Sequence, residues 1–333
     1  MHLDLCAVMY IISYNMLEGD VMKKVRTIFM GTPVFACAIL EQLYQEESLD
    51  IIALVSQPDR KVGRKQELQV TPSKMVALQR NTLVLQPELL KKESHLVLEL
   101  QPDLIITCAY GQMIPDDILA CAKLGAFNVH ASLLPKLRGG APIHKAIMFG
   151  ETTTGITIME MVKKMDAGKM ISQAAIEILD SYTMGDLHDA LMPVGAKLLH
   201  ETLPSLIDGS YEAKAQDESL VTYAWNVSKE EEKVDFTKPY QEVYNKMRSL
   251  IPSPVSYGIL DDKKIKFWKV SKTEMVTAAI SGTILGFEQD SLSLAVDGHI
   301  LNIEQLQLEG KQKMNASDFK NGVGKNYVGK VIT

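Results

Sequence analysis

The sequence predicts an α/β fold in two domains: a mostly parallel sheet covered by helices, followed by a small β-barrel. Its 333 residues exceed what one compact core usually holds, because single domains typically span roughly 100–200 residues. From residue 25 to about residue 200, short apolar runs alternate with amphipathic stretches, as in a parallel sheet whose strands are joined by helices. After residue 250 the pattern changes to short alternating strands, for which a barrel is the natural closure.

The individual elements follow from the apolar periodicity. Strands are predicted at 25–30, 51–56, 82–86, 103–109, 125–130, 155–160 and 170–178, and helices at 34–46, 73–80, 87–100, 141–149 and 184–208. A helix at 239–250 begins the second unit. The alternating segments ILDDKKIKFWKV, SGTILGF, DSLSLAV and HILNIEQLQL follow it.

Four segments are expected along the chain. Residues 1–21 are an extension without a catalytic role, and Met22 is a second possible start because it leads directly into the first strand. Residues 22–208 form the first domain, and residues 230–333 form the second. The apolar density falls between them, so 209–229 is predicted to be a linker.

Composition argues against several classes of protein. Apolar residues make up 46% and charged residues 23%, close to the globular average and unlike a disordered chain or a coiled coil. Four cysteines occur without a CxxC pair or a nearby histidine, which argues against a zinc site and a disulfide framework. No apolar run reaches the length of a membrane span. We therefore expect a cytoplasmic protein that binds neither membrane nor metal. We also expect it to be a monomer.

The most informative polar residues lie on the strand predicted at 125–130. Asn128 and His130 alternate with Val129, so their side chains face the same side of the strand. Ligands of open α/β sheets bind at the carboxyl ends of strands, where this strand passes into SLLPKLRGG, a loop stiffened by Pro135. A histidine on an apolar strand is also common as a hydrogen-bonded core residue. Spacing alone leaves both interpretations open.

Asp166 lies in MDAGKM, a short polar break between two predicted strands. One interpretation places its carboxylate in the same cleft as Asn128 and His130. The other is an ordinary turn, in which Asp and Gly are common for local reasons.

A basic segment follows the second strand. SQPDRKVGRKQELQVTPSK is long for a connection between a strand and a helix, and it carries Arg60, Lys61, Arg64 and Lys65. Together with the lysines of KKIKFWKVSK it favours nucleic-acid binding, although basic loops are often only solvated surface. Because the whole chain has 35 basic and 41 acidic residues, a polyanion would have to bind local patches. GxGxxG and GxxxxGK[ST] are both absent, so a dinucleotide or P-loop site has little support.

Motifs along the chain resemble those of the folate-dependent formyltransferase family, and in particular of its members that formylate methionyl-tRNA. In order they are FMGTPVFA, VSQPDR, AYGQMIP, FNVHASLLPKLRGGAPI, GITIMEM and MDAGKM, and LVTYAWNVSKEE resembles the passage into the family's C-terminal domain. The resemblance covers residues 25 to about 330. It implies a Rossmann-like catalytic domain and an OB-like, tRNA-binding barrel. It also implies transfer of the formyl group of 10-formyltetrahydrofolate to the amino group of methionine on initiator methionyl-tRNA, for translation initiation, without a metal.

The resemblance also implies roles for single residues. The catalytic set is Asn128, His130 and Asp166; part of the tetrahydrofolate site is Ser132, Leu133, Leu134 and Pro135; and the loop that meets the tRNA acceptor end carries Arg60, Lys61, Arg64 and Lys65. The chain departs from the family pattern at two positions. Ala131 replaces a usual glycine, and Lys169 replaces a common acidic residue.

The predicted catalytic residue types suit formyl transfer to an amine. Attack of the amine builds negative charge on the formyl oxygen and positive charge on nitrogen. The amide of Asn128 and a protonated His130 can donate hydrogen bonds to the oxygen, while Asp166 can hold the imidazole and take the amine proton through a water.

Other functions share some of these features. They are formyl transfer to a sugar nucleotide or a nucleotide precursor, hydrolysis of formyltetrahydrofolate, and non-catalytic binding of tRNA. The second domain and the basic loop favour a tRNA acceptor.

Overall fold

The structure, a computed structural model, describes residues 23–63 and 66–333. The expected extension at 1–21 and Met22, and the basic residues Arg64 and Lys65, lie outside the described residues. No helix in the described part of the chain is long and apolar enough to cross a membrane.

One sheet organises the first half of the chain. The strands are, in order, β1 (Val25–Gly31), β2 (Leu49–Val55), β3 (Arg60–Val62), β4 (Glu67–Gln69), β5 (Leu83–Leu85), β6 (Leu104–Cys108), β7 (Ala126–His130), β8 (Thr153–Glu160) and β9 (Met170–Glu177). Seven of them form a sheet in the order β5-β2-β1-β6-β7-β8-β9, whereas β3 and β4 form a separate hairpin. Pairing is parallel from β5 to β7 and antiparallel at β8 and β9. The predicted mostly parallel sheet is confirmed.

Helices cover both faces of this sheet, so the central strands β1 and β6 are buried along most of their length. The helices are α1 (Val34–Gln45), α2 (Pro72–Gln79), α3 (His95–Leu98), α4 (Asp116–Cys121), α5 (Pro142–Met148) and α6 (Met184–Asp208). Phe29 and Ile106 belong to the core that includes residues of α1 and α6. Ile28 and Ile105 face the opposite side and pack in the core that includes residues of α3 and α4.

Local signals set both ends of α6. The Thr183 hydroxyl accepts from the Asp186 N–H at 3.2 Å, and the Asp186 carboxylate accepts from the Thr183 N–H at 2.8 Å. This capping box satisfies two free donors at the start of the helix. Gly209 ends it with a φ of 74°, a conformation that glycine adopts without strain. The helix therefore spans the predicted residues.

The helix predicted at 87–100 was wrong in part. The structure has a single 3₁₀ turn at Leu90–Lys92 and then the four-residue α3. The backbone N–H of Leu90 donates to the side-chain oxygen of Gln112 at 2.9 Å. The Pro87 carbonyl, which in a continuous helix would accept from an N–H one turn later, accepts from the Gln112 side-chain amide at 3.2 Å instead. The apolar pattern could not show this long-range contact.

The second unit is an antiparallel sheet with two helices. Its elements are α7 (Tyr240–Ser249), β10 (Tyr257–Leu260), β11 (Lys263–Val276), β12 (Ile284–Glu288), β13 (Ser291–Val296), β14 (His299–Leu308), β15 (Met314–Asn315) and α8 (Ala316–Asn321). The strand order is β10-β11-β14-β13-β12, with β15 against β14. Buried apolar side chains from most of these elements form one core.

The last residues of the chain close this sheet. The Ile259 N–H of β10 donates to the Thr333 carbonyl at 2.7 Å, and the Ile284 N–H of β12 donates to the Lys330 carbonyl at 2.9 Å. Residues 330–333 therefore bridge the two edge strands. The predicted small barrel is confirmed.

Helix α7 connects the barrel to the first domain. The buried Arg248 guanidinium donates to the Leu179 carbonyl at 3.2 Å and to the Tyr182 carbonyl at 2.7 Å. Between those two acceptors, the Asp180 carboxylate pairs with Lys272 of β11. These contacts fix the barrel against the turn that precedes α6.

Candidate active site

A cavity of about 770 Å³ lies at the carboxyl ends of β6 and β7. Asn128, His130 and Asp166 all line it. The structure therefore brings the three predicted catalytic residues together, and Asp166 faces the cleft rather than only shaping a turn. This is the position at which ligands bind in open α/β sheets.

Asn128 is oriented by a threonine on the neighbouring strand. Thr107 pairs with Asn128 across the parallel strands β6 and β7, and its hydroxyl donates to the Asn128 side-chain oxygen at 2.9 Å. Because the oxygen is held there, the amide N–H groups are free to donate into the cavity. Thr107 was not among the predicted site residues. The available signal was a single polar residue near the end of the apolar run LIITC.

His130 is almost fully buried, with 6% of its surface exposed. Its Nε2 lies 3.1 Å from the Leu137 carbonyl oxygen. A carbonyl can only accept, so Nε2 carries a proton and donates it there. The other ring nitrogen, Nδ1, lies 3.8 Å from Asp166 Oδ1, which is too long for a direct hydrogen bond. The imidazole is therefore fixed on one side and faces the carboxylate on the other.

Two backbone contacts hold Asp166 in place. Its Oδ2 accepts from the Gly139 N–H at 2.8 Å, and its backbone carbonyl accepts from the Gln216 side-chain amide at 2.8 Å. The same amide donates to the Gly168 carbonyl at 2.8 Å. Asp166 has a φ of 48°, a left-handed conformation that Asp tolerates better than most residues. Its carboxylate is thus positioned by the loop after β7 and by the segment that precedes the barrel.

That segment pairs with the loop after β7. The Arg138 N–H donates to the Thr222 carbonyl at 2.9 Å, and the Ala224 N–H donates to the Arg138 carbonyl at 2.7 Å. Gly139 has a φ of 124°, and a Cβ there would lie 2.7 Å from the Ala224 carbonyl oxygen. The close pairing therefore requires glycine at this position.

Residues of the predicted linker also form part of the cavity wall. Trp225 and Asn226 line the cavity beside the three predicted catalytic residues. The Arg138 side chain is fully buried and donates to Gln216 and Glu218, at 3.0 Å in each case. Residues 209–229 were predicted only to be a linker, so this contribution to the site was not predicted.

The predicted folate residues lie behind the cavity wall. The Ser132 hydroxyl donates to the Lys136 carbonyl at 2.7 Å, and the Leu134 carbonyl accepts from the Gln173 side chain at 2.9 Å. Ser132 and Leu134 are buried. Ser132, Leu133, Leu134 and Pro135 are not among the described residues that line the cavity. In the structure they shape the loop, and their contact with folate stays a prediction.

The two departures from the family pattern fall in different surroundings. Ala131 lines the cavity directly after His130, so its methyl group bears on the space for a ligand. Lys169 is exposed and is not among the cavity-lining residues that the structure describes.

The basic loop is a hairpin outside the cavity. Arg60 and Lys61 lie on β3 and are exposed, and Arg60 pairs with Glu88 at 2.9 Å. Asp59 anchors the base of the hairpin by accepting from Lys74 at 2.6 Å and from Gln86 at 2.9 Å. Burial works to raise the pKa of Asp59, but these hydrogen bonds outweigh it and hold the pKa below its usual range.

A second depression lies between the hairpin and the cavity. It has a volume of about 660 Å³, and Glu88, Lys91 and Lys163 are part of its lining. Residues 112–114 line both spaces. The hairpin, the depression and the cavity therefore follow one another along the surface.

Two further histidines line the cavity and were not predicted. His144 of α5 lies with Nε2 3.2 Å from the Ser253 carbonyl, and burial lowers the pKa of His144. His188 of α6 packs edge-on against Phe35 at 5.4 Å between ring centroids. Both residues lie on amphipathic helices, where the sequence pattern does not distinguish them from surface histidines.

Family models match both parts of the chain. The model described as formyl transferase matches residues 23–203, and the one described as formyl transferase, C-terminal domain, matches residues 226–324. The chain is also similar to a curated protein named methionyl-tRNA formyltransferase from Staphylococcus aureus (strain MW2). The two are 46% identical over 310 residues, which cover 92% of this chain and 99% of the relative.

Solved structures share the fold at lower identity. An N-formyltransferase from Helicobacter canadensis, in complex with folinic acid and dTDP-3-aminofucose, has a TM-score of 0.64 at 18% identity and covers 84% of this chain and 98% of its own. HypX from Aquifex aeolicus, in complex with tetrahydrofolic acid, has a TM-score of 0.63 at 16% identity. That match covers 92% of this chain and 48% of HypX, so this chain spans about half of HypX. With a family model matched over residues 23–203 and a 46% identical relative over 92% of its length, the chain belongs to the formyltransferase family.

Proposed function

We propose that this formyltransferase moves the formyl group of 10-formyltetrahydrofolate to the amino group of methionine on initiator methionyl-tRNA. The reaction prepares the tRNA for translation initiation in the cytoplasm. One observation carries the proposal: Asn128, His130 and Asp166 meet in a single cavity of about 770 Å³. The name of the 46% identical relative supports the acceptor, and the folates held by two structures of this fold support the donor.

The oriented amide of Asn128 suits the role of an oxyanion donor. Its oxygen is occupied by Thr107, so the amide hydrogens are the groups that meet the developing charge on the formyl oxygen. A preorganised donor of this kind typically contributes about 100- to 1000-fold in rate.

His130 and Asp166 suit proton transfer and charge stabilisation. Their facing atoms are 3.8 Å apart, so a substrate atom or water beside them fits at about 2.8 Å from both. Asp166 takes the proton that the attacking amine loses, directly or through a water. Protonated His130 donates to the oxyanion. When the bond between the formyl carbon and the folate nitrogen breaks, that nitrogen takes up the proton that Asp166 received from the amine, and tetrahydrofolate leaves.

The tRNA is proposed to contact two basic surfaces. One is the hairpin with Arg60 and Lys61, together with Arg64 and Lys65. The other is β11 of the barrel, whose lysines are Lys263, Lys264, Lys266, Lys269 and Lys272. Lys269 and Lys272 are paired with carboxylates, so tRNA phosphates would compete with those partners. We assign catalysis to residues 22–208, linkage to 209–229 and tRNA binding to 230–333, in a monomer.

The decisive experiment follows radiolabelled formyl from 10-formyltetrahydrofolate to methionyl initiator tRNA, beside a reaction without tRNA. Label in acid-precipitable tRNA is the expected result. Release of free formate in both reactions would identify a hydrolase. Label transferred to an amino sugar nucleotide but not to tRNA would identify the alternative acceptor.

Single substitutions test the proposed roles. His130→Ala and Asp166→Asn are expected to lower kcat by about 100- to 10,000-fold, the usual contribution of positioned proton transfer, with little change in KM for the folate. Asparagine retains an oxygen to accept from the Gly139 N–H, so the loop stays in place. His188→Ala, which removes another histidine from the same cavity, serves as the matched control. Near-normal kcat in either of the first two variants would reject these roles.

A further inference from the structure

An exposed pair of aromatic rings stands at the wall of the cavity. Tyr223 and Trp225 are stacked, with ring centroids 5.0 Å apart and planes inclined by only 3°. They are 40% and 58% exposed, whereas Ala224 between them is fully buried. The segment is thus extended, and both rings project from its outer side.

The backbone of this pair is tied to the catalytic loop on both sides. The Ala224 N–H donates to the Arg138 carbonyl, and the Ala224 carbonyl accepts from the Ala141 N–H at 2.9 Å. Two aromatic side chains on a fixed backbone lose little conformational freedom when a ligand stacks on them. The pair is therefore a preformed flat surface.

Trp225 also lines the cavity together with His130 and Asp166. More than half of its surface is in water. A large aromatic ring kept exposed beside a reaction cavity indicates a ligand surface rather than part of a core.

The chemistry of the proposed acceptor identifies the occupant. In an aminoacyl-tRNA the methionine is esterified to the terminal ribose, so the terminal base lies one sugar away from the amine that reacts. That base is unpaired, and unpaired bases bind proteins largely by stacking on aromatic rings. Because the two rings lie on the exposed outer side, we expect them to contact the end of a polymer that enters from solvent, and not the pterin ring of the folate.

We infer that Trp225, backed by Tyr223, stacks on the terminal base of the tRNA acceptor strand and so places the methionyl amine in the cavity. The inference rests on the proposed function and adds a binding residue to it. Trp225 acts on the acceptor alone, so its removal affects tRNA and leaves folate binding unchanged.

Trp225→Ala is expected to raise KM for methionyl-tRNA by about 10-fold, within the range measured for the loss of one base stack. KM for 10-formyltetrahydrofolate stays constant. Trp225→Phe retains a flat ring and stays within about threefold of the parent. Phe149→Ala is the matched control, because Phe149 is equally exposed at 57% and is not among the described residues that line the cavity.

A binding measurement tests the same contact without catalysis. The probe is initiator tRNA with 2-aminopurine at its terminal position, whose fluorescence falls when the base stacks. The parent, Trp225→Phe and Phe149→Ala proteins are expected to quench it, and Trp225→Ala is not. Equal quenching by all four proteins, or a rise in KM for the folate instead of the tRNA, would overturn the inference. Failure of the parent protein to formylate methionyl-tRNA would instead count against the proposed function, while quenching still reports on the base.

Discussion

Replacing Thr107 by valine removes one hydroxyl and leaves the shape of the side chain intact. Thr107 is 3% exposed, and its hydroxyl is the donor that holds the side-chain oxygen of Asn128 at 2.9 Å. In Thr107→Val this oxygen faces a methyl group. The amide then loses its preference for presenting N–H rather than oxygen to the cavity.

The expected loss of kcat is about 10-fold, and the structure sets its limits. A neutral hydrogen bond contributes about 0.5–1.5 kcal/mol net, which corresponds to about 2- to 13-fold in rate. Complete removal of the oxyanion donor in Asn128→Ala is expected to lower kcat by about 100- to 1000-fold. Thr107→Val keeps the Asn128 amide and weakens only its orientation. Its effect on kcat therefore falls near the upper end of the range set by one neutral hydrogen bond.

Steady-state kinetics with both substrates measure this effect. KM for the folate and for methionyl-tRNA should change little, because the oxyanion develops only after binding. Thr107→Ser retains the hydroxyl and should stay within about threefold of the parent. Unchanged kcat in Thr107→Val, or an equal loss in Thr107→Ser, would refute the orientation of Asn128 by this hydroxyl.

Two further predictions concern charge. Replacing both Arg60 and Lys61 by alanine should lower the slope of log KM for tRNA against log salt concentration by about 2, since each lost phosphate contact contributes about 0.9. An unchanged slope would show that the hairpin does not contact tRNA. Burial works to raise the pKa of Asp180, but hydrogen bonds from Lys272 and Gln241 outweigh it and hold the pKa below its usual value. The stability that this carboxylate contributes is therefore present above about pH 4 and is lost as the pH falls through the folded-state pKa. In urea unfolding, the free energy of unfolding of Asp180→Asn should be below that of the parent by under about 1 kcal/mol at pH 7, because the pair is partly exposed. This difference should shrink below about pH 4. An equal difference at both pH values would show that the Asp180 carboxylate does not cause this pH dependence.

The sheet could be predicted because its signals are local. The strand predicted at 103–109 is Leu104–Cys108, every residue of which is buried. The helix predicted at 184–208 has those bounds because a capping box and Gly209 mark its ends. Each of these signals lies within a few residues of the element it specifies.

Elements held by distant contacts, or lacking a buried face, could not be predicted. The hairpin of β3 and β4 has only exposed residues in both strands, so no apolar alternation marks it. The helix predicted at 87–100 is interrupted where the Pro87 carbonyl accepts from the Gln112 side chain instead of from the helix backbone. Neither fact follows from a pattern within one segment.

The same distinction applies to the site. Asn128 and His130 could be selected as a polar pair because they alternate on one strand, which is a property of neighbouring residues. The family motif that contains them then implied their catalytic role. Thr107 and Trp225 were missed because their roles depend on pairing between separate segments. Thr107 meets Asn128 through the register of two parallel strands, and Trp225 reaches the cavity because Ala224 pairs with Arg138.

The pairing of residues 222–224 with the loop after β7 has a consequence for the modularity of the protein. The segment between the sheet and the barrel supplies a wall of the cavity and, through Gln216, a support for Asp166. A fragment that ends at residue 208 therefore retains the predicted catalytic side chains but lacks the surroundings that position them. In a chimera made from two members of the family, the domains should therefore be exchanged after residue 226. Each sheet then keeps residues 209–226 of its own chain, which pair with the loop after β7.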